Sequence, residues 1–141
     1  MVETKNKTIR LIAVALIIVF MTSITFTVAS ARSSTYIERY GSGISAGSNG
    51  KITVSFSIAG SSKMDEIGST KITIYENGTL VKTYLNSTTT GMMASGKVSH
   101  AGTVTYSGVK GKSYRAIVTF KCGKDGGYDS RLFETTSVTA K

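Results

Sequence analysis

From Lys51 to Ala59 polar and apolar side chains alternate without a break. Ile52, Val54, Phe56 and Ile58 fall on one side, and Thr53, Ser55 and Ser57 on the other. A period of two sends successive side chains to opposite faces of an extended strand, so one face meets a core and the other meets water. Parallel sheets are covered on both faces, so a strand of this kind belongs to an antiparallel sheet. Tyr114, Ala116, Val118, Phe120 and Cys122 repeat the pattern. Thr70–Glu76 does so again, with Ile72 and Ile74 inward and Lys71, Thr73 and Tyr75 outward.

The segments between these runs are rich in turn residues. Glu76-Asn77-Gly78-Thr79 predicts a tight hairpin, because Asn and Gly both accept the positive φ that a type I′ turn requires. The chain returns over Leu80–Leu85, and a polar stretch from Asn86 to Gly96 follows, with Met92 and Met93 placed to seal a rim. Further strands are expected over Lys97–Ser107, after a turn at Gly123–Gly127 from Ser130 to Val138, and early over Tyr36–Tyr40, running on past Gly41 and Gly43. Ser61–Gly68, with Met64 and Ile67 three apart, reads as one helical turn linking two sheets. About seven short strands at this spacing predict an all-β antiparallel sandwich of the immunoglobulin or fibronectin type.

The first residues have a different character. Lys5, Lys7 and Arg10 precede an unbroken apolar run from Leu11 to Met21, and the segment closes on Val28-Ala29-Ser30-Ala31. A basic start, an apolar middle and a small-x-small end form a secretion signal, an N-terminal helix cut after Ala31. Residues 1–31 are therefore expected to be the leader and 32–141 the sandwich domain, secreted and held at or near the cell wall. The competing reading is retention as an anchor, since Leu11–Ala31 reaches the length of about 20 residues that spans a bilayer. In that case this segment is the domain's membrane contact.

The 141-residue chain carries a net charge of +9. The leader supplies three cations and one acid of this, leaving the domain at +7. That balance suits an anionic cell-wall polymer or glycan, and the scattered lysines do not form the dense patch that nucleic acid requires. The single cysteine, Cys122, excludes an internal disulfide, so burial alone must hold the domain together; its place on the inward parity of a strand predicts a buried thiol rather than an intermolecular bridge.

Two resemblances add to this. Val109-Lys110-Gly111-Lys112-Ser113-Tyr114, ahead of Ala116, Val118 and Phe120, resembles the fibronectin type III pattern in which a glycine turn leads to a tyrosine opening strand F. That resemblance implies a Tyr114 hydroxyl bonded back to the backbone of the corner. The chain departs from the pattern in having no Trp for the strand B core and no Pro at its edges, and Phe56 takes the Trp position. Gly50–Phe56, Met64–Gly68, Ile72–Glu76, Thr105–Tyr114 and Ala116–Phe120 together resemble a family of small exported proteins of Gram-positive, clostridia-like bacteria with no established function.

No constellation for catalysis emerges. His100 has no acid or nucleophile beside it in sequence, no Gly-x-Ser-x-Gly elbow is present, and a His100–Cys122 thiol dyad would need an outward cysteine. One His and one Cys do not make a transition-metal site. Asp125 and Asp129 bracket a glycine-rich stretch that fits calcium chemistry only in part, and a plain hairpin loop is the simpler reading. No cofactor is implied. The candidate surface comes from strand parity: Tyr75, Arg115, Ile117, Arg131 and Phe133 are expected on one outer sheet face, where aromatic rings among cations suit sugars and acidic polymers. The expected function is a non-enzymatic binding or interaction module at the cell envelope. A small secreted antagonistic effector is the alternative, and a hydrolase the third reading.

Overall fold

The computed structural model describes residues 34–141, so the expected leader and its cleavage at Ala31 lie outside the described residues. The described strands are β1 (Ile37–Ala46), β2 (Lys51–Met64), β3 (Glu66–Glu76), β4 (Thr79–Leu85), β5 (Met93–Ala94), β6 (Lys97–Ser107), β7 (Ser113–Lys124), β8 (Gly127–Glu134) and β9 (Val138–Thr139). They form two antiparallel sheets. One has the order β1-β2-β6. The other has the order β4-β3-β7-β8, with the short β5 on β3 and β9 on β7.

The core lies between the sheets and follows the alternation in the sequence. Ile52, Val54, Phe56 and Ile58 of β2 face Tyr114, Ala116, Val118, Phe120 and Cys122 of β7, and all are buried. Ile72 and Ile74 of β3 complete the floor, and Met92 reaches in from the β4–β5 connection. Phe56 meets Phe120 edge-on at 6.4 Å between ring centres, and Tyr40 meets Phe120 at 5.4 Å. Offset and edge contacts of this kind add to the burial of the rings themselves. Phe56 thus stands at the aromatic centre of the core. Among the described residues, the buried core side chains lie between Ile37 and Ala140.

Tyr114 builds the corner that the sequence anticipates. Its hydroxyl accepts the Val109 amide proton at 2.7 Å and donates to Glu76 Oε2 at 2.5 Å. In the immunoglobulin constant arrangement the fourth strand completes the sheet of the first, second and fifth. Here β4 joins β3 instead. The domain is an all-β, immunoglobulin-like sandwich.

Two expectations about the strand layout fail, and a third holds only in part. Ser61–Gly68 is not a helical turn: β2 runs to Met64 and β3 begins at Glu66, leaving Asp65 as the corner. The pairing with β6 slips between Ala59 and Met64, so β2 bends from one sheet toward the other and buries Met64 and Ile67 from extended backbone. The last strand starts at Gly127 rather than Ser130 and stops at Glu134, with β9 resuming the pairing. Thr73 points outward as read but is only 8% exposed, because it sits mid-sheet between Thr83 and Ile117.

Candidate functional site

The outer face of the four-stranded sheet is set by the register of β7 on its neighbours. Tyr75 pairs with Arg115 and Thr73 with Ile117, so Tyr75, Arg115 and Ile117 share that face as expected. Arg131 and Phe133 do not join them. Phe133 pairs with Val118 and Arg131 with Phe120, which places both on the inward side of β8. Phe133 packs on the core and meets Tyr40 edge-on at 6.3 Å. Thr135 is buried and accepts the Ala116 amide proton through Oγ1 at 2.9 Å.

This correction has a simple cause. Asp125 (φ 53°) and Gly126 (φ 82°) form a two-residue turn, so Lys124 pairs with Gly127. Reading the turn as the longer Gly123–Gly127 loop shifts the register by one, and such a slip carries every side chain to the other face. The Asp-Gly dipeptide was the available signal. With the register corrected, Leu132 and Tyr128 occupy the outer positions of β8, at 66% and 61% exposed.

Two cations on this face, Arg115 and Lys121, are neutralised within the fold. Arg115 stacks on Tyr75 with the guanidinium carbon 4.4 Å from the ring centre, and its Nη1 lies 2.6 Å from Glu134 Oε1. Lys121 lies 2.7 Å from Glu66 Oε2 and 4.8 Å from the centre of the Tyr128 ring. These are exposed cross-strand pairs of modest worth, and they leave the Arg115 and Lys121 charges already answered.

The outer face of the three-stranded sheet is built differently. Between the row Arg39–Ala59–Ser99 at one end and the pair Lys51–Ser107 at the other, the outward positions are Gly41–Ser57–Ala101, Gly43–Ser55–Thr103 and Ser45–Thr53–Thr105. None is larger than threonine. The small floor leaves an open groove of about 510 Å³ across Arg39, Gly41, Ser57, Ala59, Ser99 and Ala101, and a shallower one of about 230 Å³ continues over Gly43 and Ser55.

Several other titratable groups are held by the fold's own contacts. His100 faces inward beside Phe56, and its Nε2 lies 2.7 Å from the Gly91 carbonyl, so that nitrogen carries the proton. Cys122 is buried, as expected, and its thiol donates to the Tyr36 carbonyl at 3.4 Å rather than to His100. Burial pushes the thiol above its usual range, with the Asp129 charge adding to the effect. Asp129 accepts the Ser34 hydroxyl at 2.6 Å and the Tyr36 amide at 2.8 Å, which hold its carboxyl below the usual range. Asp125 is a turn residue whose amide donates to Asp65 Oδ2 at 2.9 Å. Glu76 is held below the usual carboxylate range by Lys112, 2.7 Å away, and then by Tyr114. Among the described residues no group of three or more His, Cys, Asp or Glu side chains converges on a metal-sized site.

No protein-family model matches the chain, and no curated protein matches it either. Among solved structures, the solution NMR structure of the CARDB domain of a Pyrococcus furiosus protein is similar at 16% identity, over 69% of this chain and 92% of that one, with a TM-score of 0.35. A likeness at that level carries no statement about activity or partner.

Proposed function

We propose that the chain is an exported, non-enzymatic binding module that works at a bacterial envelope of the Gram-positive kind. The observation that carries this reading is where its chemistry is placed. Tyr114, Glu76, Lys112, Asp129, His100 and Cys122 all bond to the fold's own groups, and the described domain presents two broad sheet faces to solvent. A general acid, base or nucleophile must instead reach a substrate. The basic balance of the domain suits an anionic surface, and the leader read in residues 1–31 would deliver it there.

Sedimentation of residues 32–141 with purified Gram-positive cell walls tests this. That span holds every buried core side chain among the described residues. Retention at low salt that is released as salt rises is the expected result. A protein that stays in the supernatant at low salt ends the proposal.

A further inference from the structure

We infer that β8 is a pairing edge and that its partner is β8 of a second copy of this chain, joined antiparallel about a two-fold axis. Among the described residues β8 (Gly127–Glu134) has β7 on one side and no strand on the other. Its backbone is set for a ladder. The Asp125-Gly126 turn closes on the Lys124–Gly127 pair, and the register runs from there to Ile117–Glu134 without a bulge. The Thr135 amide continues it by donating to the Ala116 carbonyl. Hydrogen-bonded positions alternate in an antiparallel pair, so the odd residues of β8 bond to β7. The amides and carbonyls of Tyr128, Ser130 and Leu132 therefore point outward, and the Ser130 carbonyl accepts Nη1 of Arg131 at 2.9 Å, as an outward group would.

The other sheet edges carry the features that discourage pairing, namely lysine, proline or a slip in register. β1 slips against β2 between Ile37 and Arg39, β4 holds Lys82 and slips against β3, and β6 begins at Lys97 and slips against β2. The strand Gly127–Glu134 contains no lysine and no proline, and its pairing is regular.

Charge fixes both the partner and the register. A two-fold axis through Ser130 sets Asp129 against Arg131 of the second copy, twice over, and Tyr128 against Leu132. A slip of two residues either way sets Arg131 against Arg131 or Asp129 against Asp129. Inward charges on an edge strand deter a generic partner, which would bury them unmatched; only the self-pair answers both. Asp129 keeps Ser34 and Tyr36 on Oδ2, and an ionised carboxylate has room for further donors. On the outer face Tyr128 and Leu132 are the most exposed large apolar side chains among the described residues, and the same register covers both. The surrounding charges offset one another. Glu134 is paired with Arg115 and falls opposite Gly126, Lys121 beside Tyr128 is paired with Glu66, and Lys124–Asp125 and Glu38–Arg39 are neighbours of opposite sign.

Cross-linking of the full chain tests the axis. Ser130→Cys places two thiols opposite each other at a Cα spacing that a disulfide can bridge. Mild oxidation is expected to give a covalent dimer, about fivefold or more above that from Ser55→Cys or Thr83→Cys, at exposed positions on β2 and β4. Sedimentation velocity tests the contacts. Ser33–Lys141 is a compact unit by itself, and residues 32–141 are expected to show a concentration-dependent monomer–dimer equilibrium. Leu132→Lys is expected to weaken it about tenfold or more at unchanged Tm, and Arg131→Glu to do so by facing Asp129 with a second acid. Ser130→Pro acts likewise by deleting an amide that β7 does not use, whereas Lys82→Glu on β4 changes the equilibrium less than about twofold. A monomer at every concentration, no excess cross-linking from Ser130→Cys, or a dimer that Leu132→Lys leaves intact overturns the assignment. A full chain that stays monomeric while residues 32–141 dimerise also overturns it, because the first residues then cover the edge.

Discussion

Glu76 and Tyr114 stand opposite each other on β3 and β7, and the tyrosine hydroxyl donates to the carboxylate while accepting the Val109 amide proton. One buried oxygen thus ties the β6–β7 corner to the end of β3. Lys112, reaching back from the same corner, closes the group on the other carboxylate oxygen.

Tyr114→Phe removes that oxygen and keeps the ring. The Val109 amide then loses its partner in a part-buried place, at a cost of about 1–3 kcal/mol. The expected result is a lower urea midpoint with an unchanged m-value, because the core packing is retained. An unchanged midpoint would show the corner to be decorative.

Acid should weaken the domain through Glu76 and Asp129. Both carboxyls sit below their usual values of 4.5 and 3.8, Glu76 because of Lys112 and Asp129 because of the Ser34 hydroxyl. A depressed folded pKa contributes stability that is complete above the unfolded value and is lost as pH falls through the folded one. Asp129→Asn should therefore be less stable than the wild type near neutral pH, with the gap closing as pH drops below 3.8. Urea midpoints measured at about pH 7 and about pH 2.5 read the difference directly.

Asp129 also governs access to Cys122. The carboxylate pins Ser34 and Tyr36, and the Tyr36 carbonyl accepts the thiol proton. Native protein should react slowly with a thiol reagent such as Ellman's, because the attacking species is the thiolate and this thiol is buried and raised. Asp129→Ala is expected to speed labelling about tenfold or more by freeing the segment above the sulfur, a gain set by local opening rather than global unfolding. Labelling at the wild-type rate would mean that the segment stays in place without its clamp.

Two glycines should behave in opposite ways. Gly68 has φ 151°, and a Cβ there would lie 2.1 Å from the Met92 carbonyl oxygen, where β5 joins β3. Gly68→Ala should displace β5, pull Met92 from the core and lower Tm steeply. Gly41→Ala meets open space at ordinary φ and should leave Tm unchanged or slightly raised. Thermal melts of the two variants provide the comparison.

Strand identity was legible wherever alternation was strict. For Ile52 to Ile58 and Tyr114 to Cys122 the side-chain period alone decides which face is buried, and the tyrosine at the corner could be read from its glycine turn. The outer surfaces were less legible. Arg131 and Phe133 went to the wrong face because the parity of β8 is inherited from the length of the β7–β8 turn, and one residue of error inverts it. Met64 and Ile67 misled because a spacing of three suits a helix as readily as a strand that bends between sheets. The small-residue face was hidden for a related reason. Gly41, Ser57 and Ala101 are far apart in sequence, and each alone reads as ordinary strand filler; only the pairing of β1, β2 and β6 sets them side by side. The sequence determined the layers and the core, because burial is written along a single strand. The tertiary structure decided the surfaces, because register between strands is a property of pairs.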